Sequence, residues 1–362
     1  MTHIIREDTE WLVSHTDWKR FVEKKILITG ASGAIARYLV YYFMFLNEKY
    51  KADCAVYALV RNEEKARRLF GAYLQNTNFH LIVGSVEENE DYASGMNYIF
   101  HAAGISTTAL FSKKPVEVLK ANLIGTYFML DKLAGQEKGV LEKFVFFSSG
   151  AVYGRIPDSV METPEDTYYE INALSDNGVY AEGKKTGELL CYAYGKEHRI
   201  PTVMARIGHS YGPGSDIMDG HIYSDLMKAV VERTPIAIRN PEIERPFTYV
   251  RDTVFGILLM ALYGEDGNAY NVWNADEKIS VGRLAHLLAK EIFSDRNLSV
   301  YCNGELYEYM ETKENADIRR LADTRKLEAL GWKASVGVGE GFFRAVQSLE
   351  EEGRAHYRKE QM

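Results

Sequence analysis

Residues 25–36 read KILITGASGAIA, an apolar run that is broken by glycines and then followed by a helical pattern. The β-branched run at 25–29 predicts a buried strand. Beyond the glycines, apolar side chains recur at spacings of four, three and four, which predicts one buried face of a helix. These side chains are Ile35, Leu39, Tyr42 and Leu46. A glycine turn between a first strand and a first helix is typical of a dinucleotide-binding site.

The turn has the spacing Gly-x-x-Gly-x-x-Ala. Gly30 allows a sharp reversal, Gly33 removes a side chain where backbone approaches a pyrophosphate, and Ala36 lets the helix pack on the sheet. The helix N-terminus adds free N–H groups and a positive dipole end. We therefore predict a cofactor site, with a purely structural turn as the alternative. The predicted contacts are Thr29, Gly30, Ser32, Gly33, Ala34 and Ile35.

Strand and helix patterns alternate along the following 170 or so residues. The predicted strands are 25–29, 55–60, 79–83, 98–101, 143–148 and 201–206, and the predicted helices include 63–74, 116–135 and 179–198. Such alternation implies an α/β fold with a doubly wound, Rossmann-like parallel sheet. After Tyr211 the pattern becomes irregular, which predicts a smaller C-terminal substrate-binding lobe. The predicted divisions are an N-terminal arm (1–22), a dinucleotide-binding domain (23–210, with 249–275 returning to it) and the lobe (211–248 and 276–350).

Composition argues against several classes of function. The chain has 362 residues, 46% of them hydrophobic, and a formal net charge of -8. The lack of a basic stripe argues against nucleic acid as a ligand. No apolar run is long enough to span a bilayer, the N-terminus does not resemble a signal peptide, and the three cysteines lack metal-ligand spacing. We expect a cytoplasmic protein with no membrane segment and no metal site.

Three side chains form a candidate catalytic set. Ligands of doubly wound sheets bind beyond the carboxyl ends of the strands, where Ser149 follows strand 143–148. Tyr180 and Lys184 are four residues apart and share one helix face. An ammonium beside a phenol lowers the pKa of the phenol, so Tyr180 is a candidate general base. Ordinary helix surface is the alternative for this pair.

Seven motifs together resemble the extended short-chain dehydrogenases/reductases, in the branch of nucleotide-sugar epimerases, dehydratases and decarboxylases. They are TGASGAIA (29–36), HAAG (101–104), NLIGT (122–126), SSGAVYG (148–154), YAEGK (180–184), RIGHSYGPG (206–214) and RPFTYVRD (245–252). The resemblance runs from Lys25 to about Leu288. It implies a tightly bound nicotinamide cofactor, a nucleoside-diphosphate sugar between the lobes, and a homodimer formed through helices 116–135 and 179–198.

The resemblance also implies roles for single residues. Tyr180 takes the proton from the sugar C4 hydroxyl, Ser149 binds the same oxygen, and Lys184 binds the nicotinamide ribose. Further cofactor contacts implied by the motifs are Ala102, Ala103, Gly104 and Asn122. The implied substrate contacts are Ser106, Ser149, His209, His221 and Arg245. For His209, a hydrogen-bonded interior position remains an alternative, and His101 is interpreted as structural.

The identity of the dinucleotide stays open between NAD and NADP. NAD sites usually place an acid at the end of the second strand, to hold the ribose hydroxyls. Here the strand ends in Val60 and is followed by Arg61 and Asn62. Arg61 would contact the 2′-phosphate of NADP, or it is simply a solvated arginine.

The residues after Ser149 bear on the reaction. The resembling dehydratases carry an Asp–Glu pair there and the decarboxylases a Glu in the second place, whereas this chain has Gly150 and Ala151. Our leading hypothesis is a 4-epimerase that works through a transient 4-keto sugar. A second is UDP-glucuronate decarboxylation, because residues 218–225 resemble a diphosphate-binding segment of those enzymes. A third is an NADPH-dependent 4-keto-sugar reductase, suggested by Arg61, and a fourth is a non-catalytic dinucleotide sensor.

Overall fold

The computed structural model describes residues 1–136, 139–157, 159–310 and 322–360, without the side chains of 354–360. The strands are β1 (Lys25–Thr29), β2 (Ala55–Val60), β3 (Phe79–Val83), β4 (Tyr98–His101), β5 (Lys143–Ser149), β6 (Thr202–Ile207), β7 (His209–Tyr211), β8 (Ile236–Ile238), β9 (Glu244–Arg245), β10 (Phe247–Tyr249), β11 (Asn268–Val272), β12 (Ile279–Ser280), β13 (Val300–Cys302) and β14 (Glu305–Leu306). The α-helices are α1 (His3–His15), α2 (Ala34–Tyr50), α3 (Glu63–Phe70), α4 (Thr108–Lys113), α5 (Pro115–Leu119), α6 (Gly125–Ala134), α7 (Asp176–His198), α8 (Ile222–Glu232), α9 (Val250–Tyr263), α10 (Val281–His286), α11 (Arg325–Glu328) and α12 (Val338–Glu360).

Seven strands form one sheet in the order β11-β6-β5-β4-β1-β2-β3, and all of its neighbouring pairs are parallel. This confirms the predicted doubly wound α/β fold. The strand order reverses between β1 and β4, whose ends meet where Thr29 pairs with His101. In doubly wound sheets the ligand crevice lies at such a reversal, beyond the carboxyl ends of the strands. The glycine turn, the HAAG motif and Ser149 therefore all lie at this edge.

The predicted boundaries hold best for the buried strands. The first four strands lie at the predicted residues, and β5 and β6 differ by one residue. Helix α7 begins at Asp176, three residues earlier than predicted, because the Ser175 side chain caps it by accepting a hydrogen bond from the Gly178 backbone N–H. The three-turn helix α8 was not predicted. It lies beyond the glycine- and proline-rich stretch whose irregular pattern hid it.

The N-terminal arm is part of the packed body. Helix α1 packs against α2, α9 and α12. Its Asp8 is fully buried and accepts hydrogen bonds from Tyr249 (2.8 Å), Tyr38 (3.1 Å) and Arg344 (2.8 Å). Burial raises the pKa of the Asp8 carboxyl, and Arg344 opposes this shift. One carboxylate thus ties α1 to the first sheet helix and to α12.

The second lobe contains α8, α10 and two small sheets. Strands β8, β13 and β14 form one sheet, and β9 pairs with β12 in the other. Between β9 and β12 the chain rejoins the large sheet, since β11 pairs in parallel with β6. Within the described residues, no helix has both the length and the apolar character needed to cross a bilayer.

Candidate active site

The glycine turn after β1 has no room for a side chain at Gly30. Gly30 has a φ of +63°, and a Cβ there would lie 3.0 Å from the Cα of Ala103. The Thr29 hydroxyl accepts a hydrogen bond from the Ala103 N–H (3.0 Å), which ties the turn to the end of β4. Gly33 precedes α2 and no side chain caps the helix there. The first N–H groups of α2 are therefore available to a phosphate.

The other predicted contacts surround this turn. Ser32, Ala34 and Ile35 are partly exposed at the start of α2. Ala102, Ala103, Gly104 and Ser106 lie between β4 and α4, facing the same crevice edge, with Ser106 exposed. Arg61 follows β2, with its side chain 60% exposed and its guanidinium 3.9 Å from Glu87. Its position leaves both interpretations of Arg61 open.

His101 is an internal hydrogen-bonded histidine. It is fully buried, and its two ring nitrogens lie 3.0 Å from the Thr29 hydroxyl and 3.1 Å from the Thr126 hydroxyl. Burial, reinforced by the nearby Lys184 charge, lowers its pKa to about 3. The neutral ring thus holds β1 and α6 together beneath the crevice, which fits the structural interpretation.

The structure brings Ser149, Tyr180 and Lys184 together. Ser149 ends β5, and the other two occupy one face of α7, which packs on that strand. The Tyr180 phenol is hydrogen-bonded to the Ser149 side chain. The Lys184 ammonium donates to the carbonyl of Phe147 at 2.7 Å. Seryl, phenol and ammonium groups therefore meet at the carboxyl end of β5.

The expected direction of the Tyr180 pKa is wrong for the protein without ligands. Burial raises the pKa of the phenol, and the Ser149 hydrogen bond lowers it only partly. Lys184 is itself desolvated, so its pKa is lowered to about 8, with Cys191 and Glu188 opposing this. The ammonium is engaged by the Phe147 carbonyl and burial dominates, so the phenol stays protonated.

Asn122 lies in a π-helical turn, Lys120–Ile124, that interrupts the helix predicted at 116–135. The side chain is fully buried, and its amide donates to the Val118 carbonyl at 2.9 Å. Its Oδ1 has no hydrogen-bond partner among the described residues. π-turns are frequent at functional sites, and an orphaned buried acceptor calls for a ligand or water.

Gly104 brings the chain close to this orphaned acceptor. A Cβ on Gly104 would lie 2.6 Å from the Asn122 Oδ1 and 2.9 Å from the Lys184 ammonium. Backbone, amide and ammonium therefore converge at the mouth of the crevice, beside the uncapped start of α2. This donor and acceptor set fits the ribose hydroxyls and phosphates of a dinucleotide.

A tryptophan explains the glycine that follows Ser149. A Cβ on Gly150 would lie 2.0 Å from Cζ2 of Trp273, and a Cβ on Gly208 would lie 3.0 Å from the same indole. The indole N–H donates to the Arg206 carbonyl at 2.9 Å, which fixes the ring. Sequence reasoning missed Trp273. Its place directly after β11, at the carboxyl edge of the sheet, was the available signal.

Three of the predicted substrate contacts, His209, His221 and Arg245, interact with one another, whereas Ser106 and Ser149 lie at the carboxyl edge of the large sheet. Burial lowers the pKa of His209 to about 4, and the charges of Arg245 and His221 act in the same direction. Burial also lowers the pKa of Arg245. His221 stacks on Tyr223, whose phenol interacts electrostatically with that of Tyr180. Tyr223 lies within residues 218–225, the segment singled out from the sequence, although it was not itself predicted as a contact. The Arg245 guanidinium suits an anionic group.

Comparisons with known proteins agree with this geometry. The family described as the NAD dependent epimerase/dehydratase family matches residues 26–275. Among curated relatives, UDP-glucuronic acid decarboxylase 5 of Arabidopsis thaliana is 29% identical over 88% of this chain and 86% of its own. UDP-glucuronic acid decarboxylase 1 of Xenopus tropicalis is 27% identical over 91% of this chain and 73% of its own.

Solved structures share the fold. UDP-glucuronic acid 4-epimerase from Bacillus cereus, in complex with UDP-glucuronic acid and NAD, superposes with a TM-score of 0.73 at 22% identity, over 91% of this chain and 99% of that one. The WbmF enzyme of Bordetella bronchiseptica, with NAD+ and UDP, has a TM-score of 0.74 at 20% identity, over 94% and 96%. The family match spans the sheet, the glycine turn and the Ser–Tyr–Lys set, so the chain belongs to the NAD-dependent epimerase/dehydratase family of enzymes.

Proposed function

We propose that this enzyme is an NAD(P)-dependent 4-epimerase of a nucleoside-diphosphate sugar, acting through a transient 4-keto intermediate. The observation that carries the proposal is the convergence of Ser149, Tyr180 and Lys184 beside Gly150. Trp273 fills the position where the resembling dehydratases carry an acid. The site thus has the groups for oxidation and reduction at C4 but no group at 150 or 151 for eliminating water.

In the proposed mechanism Tyr180 receives the proton of the C4 hydroxyl, and Ser149 donates a hydrogen bond to the same oxygen. The nicotinamide, when bound, supplies the acceptor for the C4 hydride. Burial disfavours the phenolate that this step needs. We propose that Lys184, one turn further along α7, stabilises the phenolate when its ammonium turns from the Phe147 carbonyl to the ribose of a bound cofactor. Once the keto sugar has rotated in the site, Tyr180 would return its proton to the same oxygen, and the bound cofactor would supply the hydride to the opposite face. The steps balance as an isomerisation with no net redox change.

The Arg245 guanidinium, with His209 and His221 as neighbouring hydrogen-bonding groups, supports a diphosphate as the common part of the substrate. The curated relatives are named for UDP-glucuronic acid, and one solved neighbour is a UDP-glucose 4-epimerase from Thermotoga maritima with UDP-glucose. We infer a UDP-sugar on this support. We assign residues 23–210 and 249–275 to the cofactor-binding domain, and 211–248 and 276–350 to the sugar-binding lobe.

The test is incubation of the purified enzyme with UDP-glucose, UDP-glucuronic acid and their dTDP-, GDP- and CDP-linked counterparts, with epimers resolved by NMR. Tyr180→Phe is expected to lower the rate by about 10²–10⁴-fold, the usual contribution of a general acid or base. Tyr192→Phe is the matched control, because it also lies four residues before a lysine on α7 but is 51% exposed. Absence of epimer from every sugar nucleotide would refute the proposal.

A second candidate is decarboxylation of UDP-glucuronic acid, favoured by the names of the curated relatives. The same C4 oxidation yields a β-keto acid, which loses carbon dioxide without the Glu that decarboxylases carry where this chain has Ala151. Release of labelled carbon dioxide from carboxyl-labelled substrate distinguishes the two reactions.

The cofactor distinguishes the third candidate, a 4-keto-sugar reductase that uses NADPH. An epimerase or decarboxylase recycles its cofactor, so NAD or NADP should be released in stoichiometric amount when the purified protein is denatured. Reversible exchange of NADPH would favour the reductase, with Arg61 as its phosphate contact. A protein that holds a dinucleotide but converts no sugar nucleotide would instead be a non-catalytic sensor.

We also propose a homodimer that is formed through α5–α6 and α7. The support is a set of exposed apolar side chains on these helices: Val116, Tyr127, Leu189 and Tyr192. Leu189→Glu is expected to convert a dimer to a monomer in light scattering. We expect the enzyme in the cytoplasm, because Cys54 and Cys191 are buried free thiols.

A further inference from the structure

Arg37 is a buried cation in the first turn of α2, directly after the glycine turn. Its backbone N–H donates to the Gly33 carbonyl at 2.9 Å, and the residue is only 5% exposed. Side chains of a helix lean toward its N-terminus, which directs the Arg37 side chain toward the end of α2 that carries the uncapped N–H groups.

The Arg37 guanidinium lies where a side chain on Gly214 would be. A Cβ on Gly214, in the loop after β7, would lie 2.2 Å from Nη2 and 2.4 Å from Nε of Arg37. Gly214 also has a φ of +89°, which L side chains rarely adopt. The loop therefore presents bare backbone to the guanidinium, five residues beyond His209. The guanidinium therefore lies between α2 and the loop that follows β7.

The charge of Arg37 is incompletely compensated. Its Nε has no hydrogen-bond partner among the described residues. The contact found for the guanidinium is the Tyr41 phenol, a neutral group one turn further along α2, which the carboxylate of Glu352 also influences from α12. A buried cation at the positive end of a helix is costly unless an anion joins it.

We propose that Arg37 binds the pyrophosphate of the dinucleotide, together with the N–H groups at the start of α2. This rests on the cofactor dependence of the proposed function but on no particular sugar reaction. The role differs from that considered for Arg61, which follows the second strand and would contact only the 2′-phosphate of NADP. Arg37 serves NAD and NADP alike, since both carry the same pyrophosphate.

The test compares a ligand that has a diphosphate with one that lacks it. Binding of ADP and of adenosine to the full chain, freed of nucleotide, is measured by calorimetry for Arg37→Met and Arg37→Lys. The dinucleotide retained per chain is measured by mass spectrometry after denaturation. Arg68→Gln, an exposed arginine on α3, and Glu352→Gln, which removes the carboxylate facing Tyr41, are the controls.

Arg37→Met is expected to weaken the binding of ADP about tenfold to a hundredfold, which is the range for the loss of a charged hydrogen bond. It should weaken the binding of adenosine less than about twofold. Arg37→Lys should fall between Arg37→Met and the wild type, because an ammonium keeps the charge but loses the planar fork. Both controls should bind ADP as the wild type does. If Arg37→Met does not fold, Arg37→Lys decides by the same ADP-to-adenosine ratio.

If Arg37→Met weakened the binding of ADP and of adenosine equally, Arg37 would only support the fold, and the proposal would be overturned. Unchanged ADP binding in a folded variant, or the same loss in Glu352→Gln, would also overturn it. The sugar reaction plays no part in these measurements. An enzyme of this family with a different substrate would still give the expected result, so the two proposals fail separately.

Discussion

Gly150→Ala is the sharpest structural test of the site, because one methyl group would occupy the position of an indole carbon. Non-bonded carbons prefer separations of about 3.5–4.0 Å, and the new Cβ would lie 2.0 Å from Cζ2 of Trp273. The ring would have to move by more than an ångström. That movement breaks its hydrogen bond to the Arg206 carbonyl, which is worth about 1 kcal/mol. Overpacking adds about 1–3 kcal/mol, so we expect a loss of about 2–4 kcal/mol in the free energy of unfolding.

The measurement is urea unfolding followed by circular dichroism, with cofactor content matched between variants. Gly71→Ala is the matched control, since a Cβ at Gly71 contacts nothing within 4 Å and its φ is -53°. That substitution should be neutral or stabilise by about 0.4–1 kcal/mol through the unfolded state. In a Trp273→Ala background, Gly150→Ala should cost almost nothing, which gives a coupling energy of about 2–4 kcal/mol. An equal cost in both backgrounds would refute the packing argument.

Three further outcomes are expected. Folding lowers the pKa of His101 to about 3, so on acidification the unfolded chain takes up the proton first. The contribution of His101 to stability is complete above about pH 6.5, and the free energy of unfolding falls below that pH by about 1.4 kcal/mol per pH unit. His101→Gln should reduce this slope in unfolding measured from pH 7 to 5. Asp8→Ala leaves the buried Tyr38 and Tyr249 hydroxyls without their acceptor, although Arg344 keeps Glu7 at 3.2 Å, and should cost about 3 kcal/mol in urea unfolding. Glu10→Ala on the exposed side of α1 should change the free energy of unfolding by less than about 0.5 kcal/mol. Arg61→Gln should weaken NADP but not NAD in calorimetry if the arginine holds the 2′-phosphate; equal binding of both would identify a solvated side chain.

The sequence predicted the sheet and the Ser–Tyr–Lys set because these depend on local pattern and chain position. Buried parallel strands are apolar throughout, so β1 to β4 were visible as short β-branched runs. Ser149 and Tyr180 could be paired because both follow from strand order at the carboxyl edge. The same reasoning could not find Trp273 or Arg37, whose roles depend on glycines 123 and 177 positions away in the chain, respectively.

Other differences have energetic causes that a sequence pattern does not contain. The pKa of Tyr180 depends on how deeply the phenol is buried and on where the Lys184 ammonium points, and only coordinates supply either. The π-turn at Lys120–Ile124 does not alter hydrophobic periodicity enough to be seen in one sequence. Asn122 lies in this turn, buried and with its Oδ1 unpaired among the described residues.

The tie between α1 and α12 has a consequence during synthesis. The Thr2 hydroxyl is hydrogen-bonded to that of Ser348, 346 positions later, and Asp8 meets Arg344 across almost as long a separation. At translation rates of about 5–20 residues per second, α1 waits roughly 17–70 s before its partner has been made. During that interval the apolar side chains of Ile5 and Leu12, which are buried in the folded protein, cannot yet be fully buried. Helix α1 can pack on α2 early, but its packing is complete only once α12 has been made.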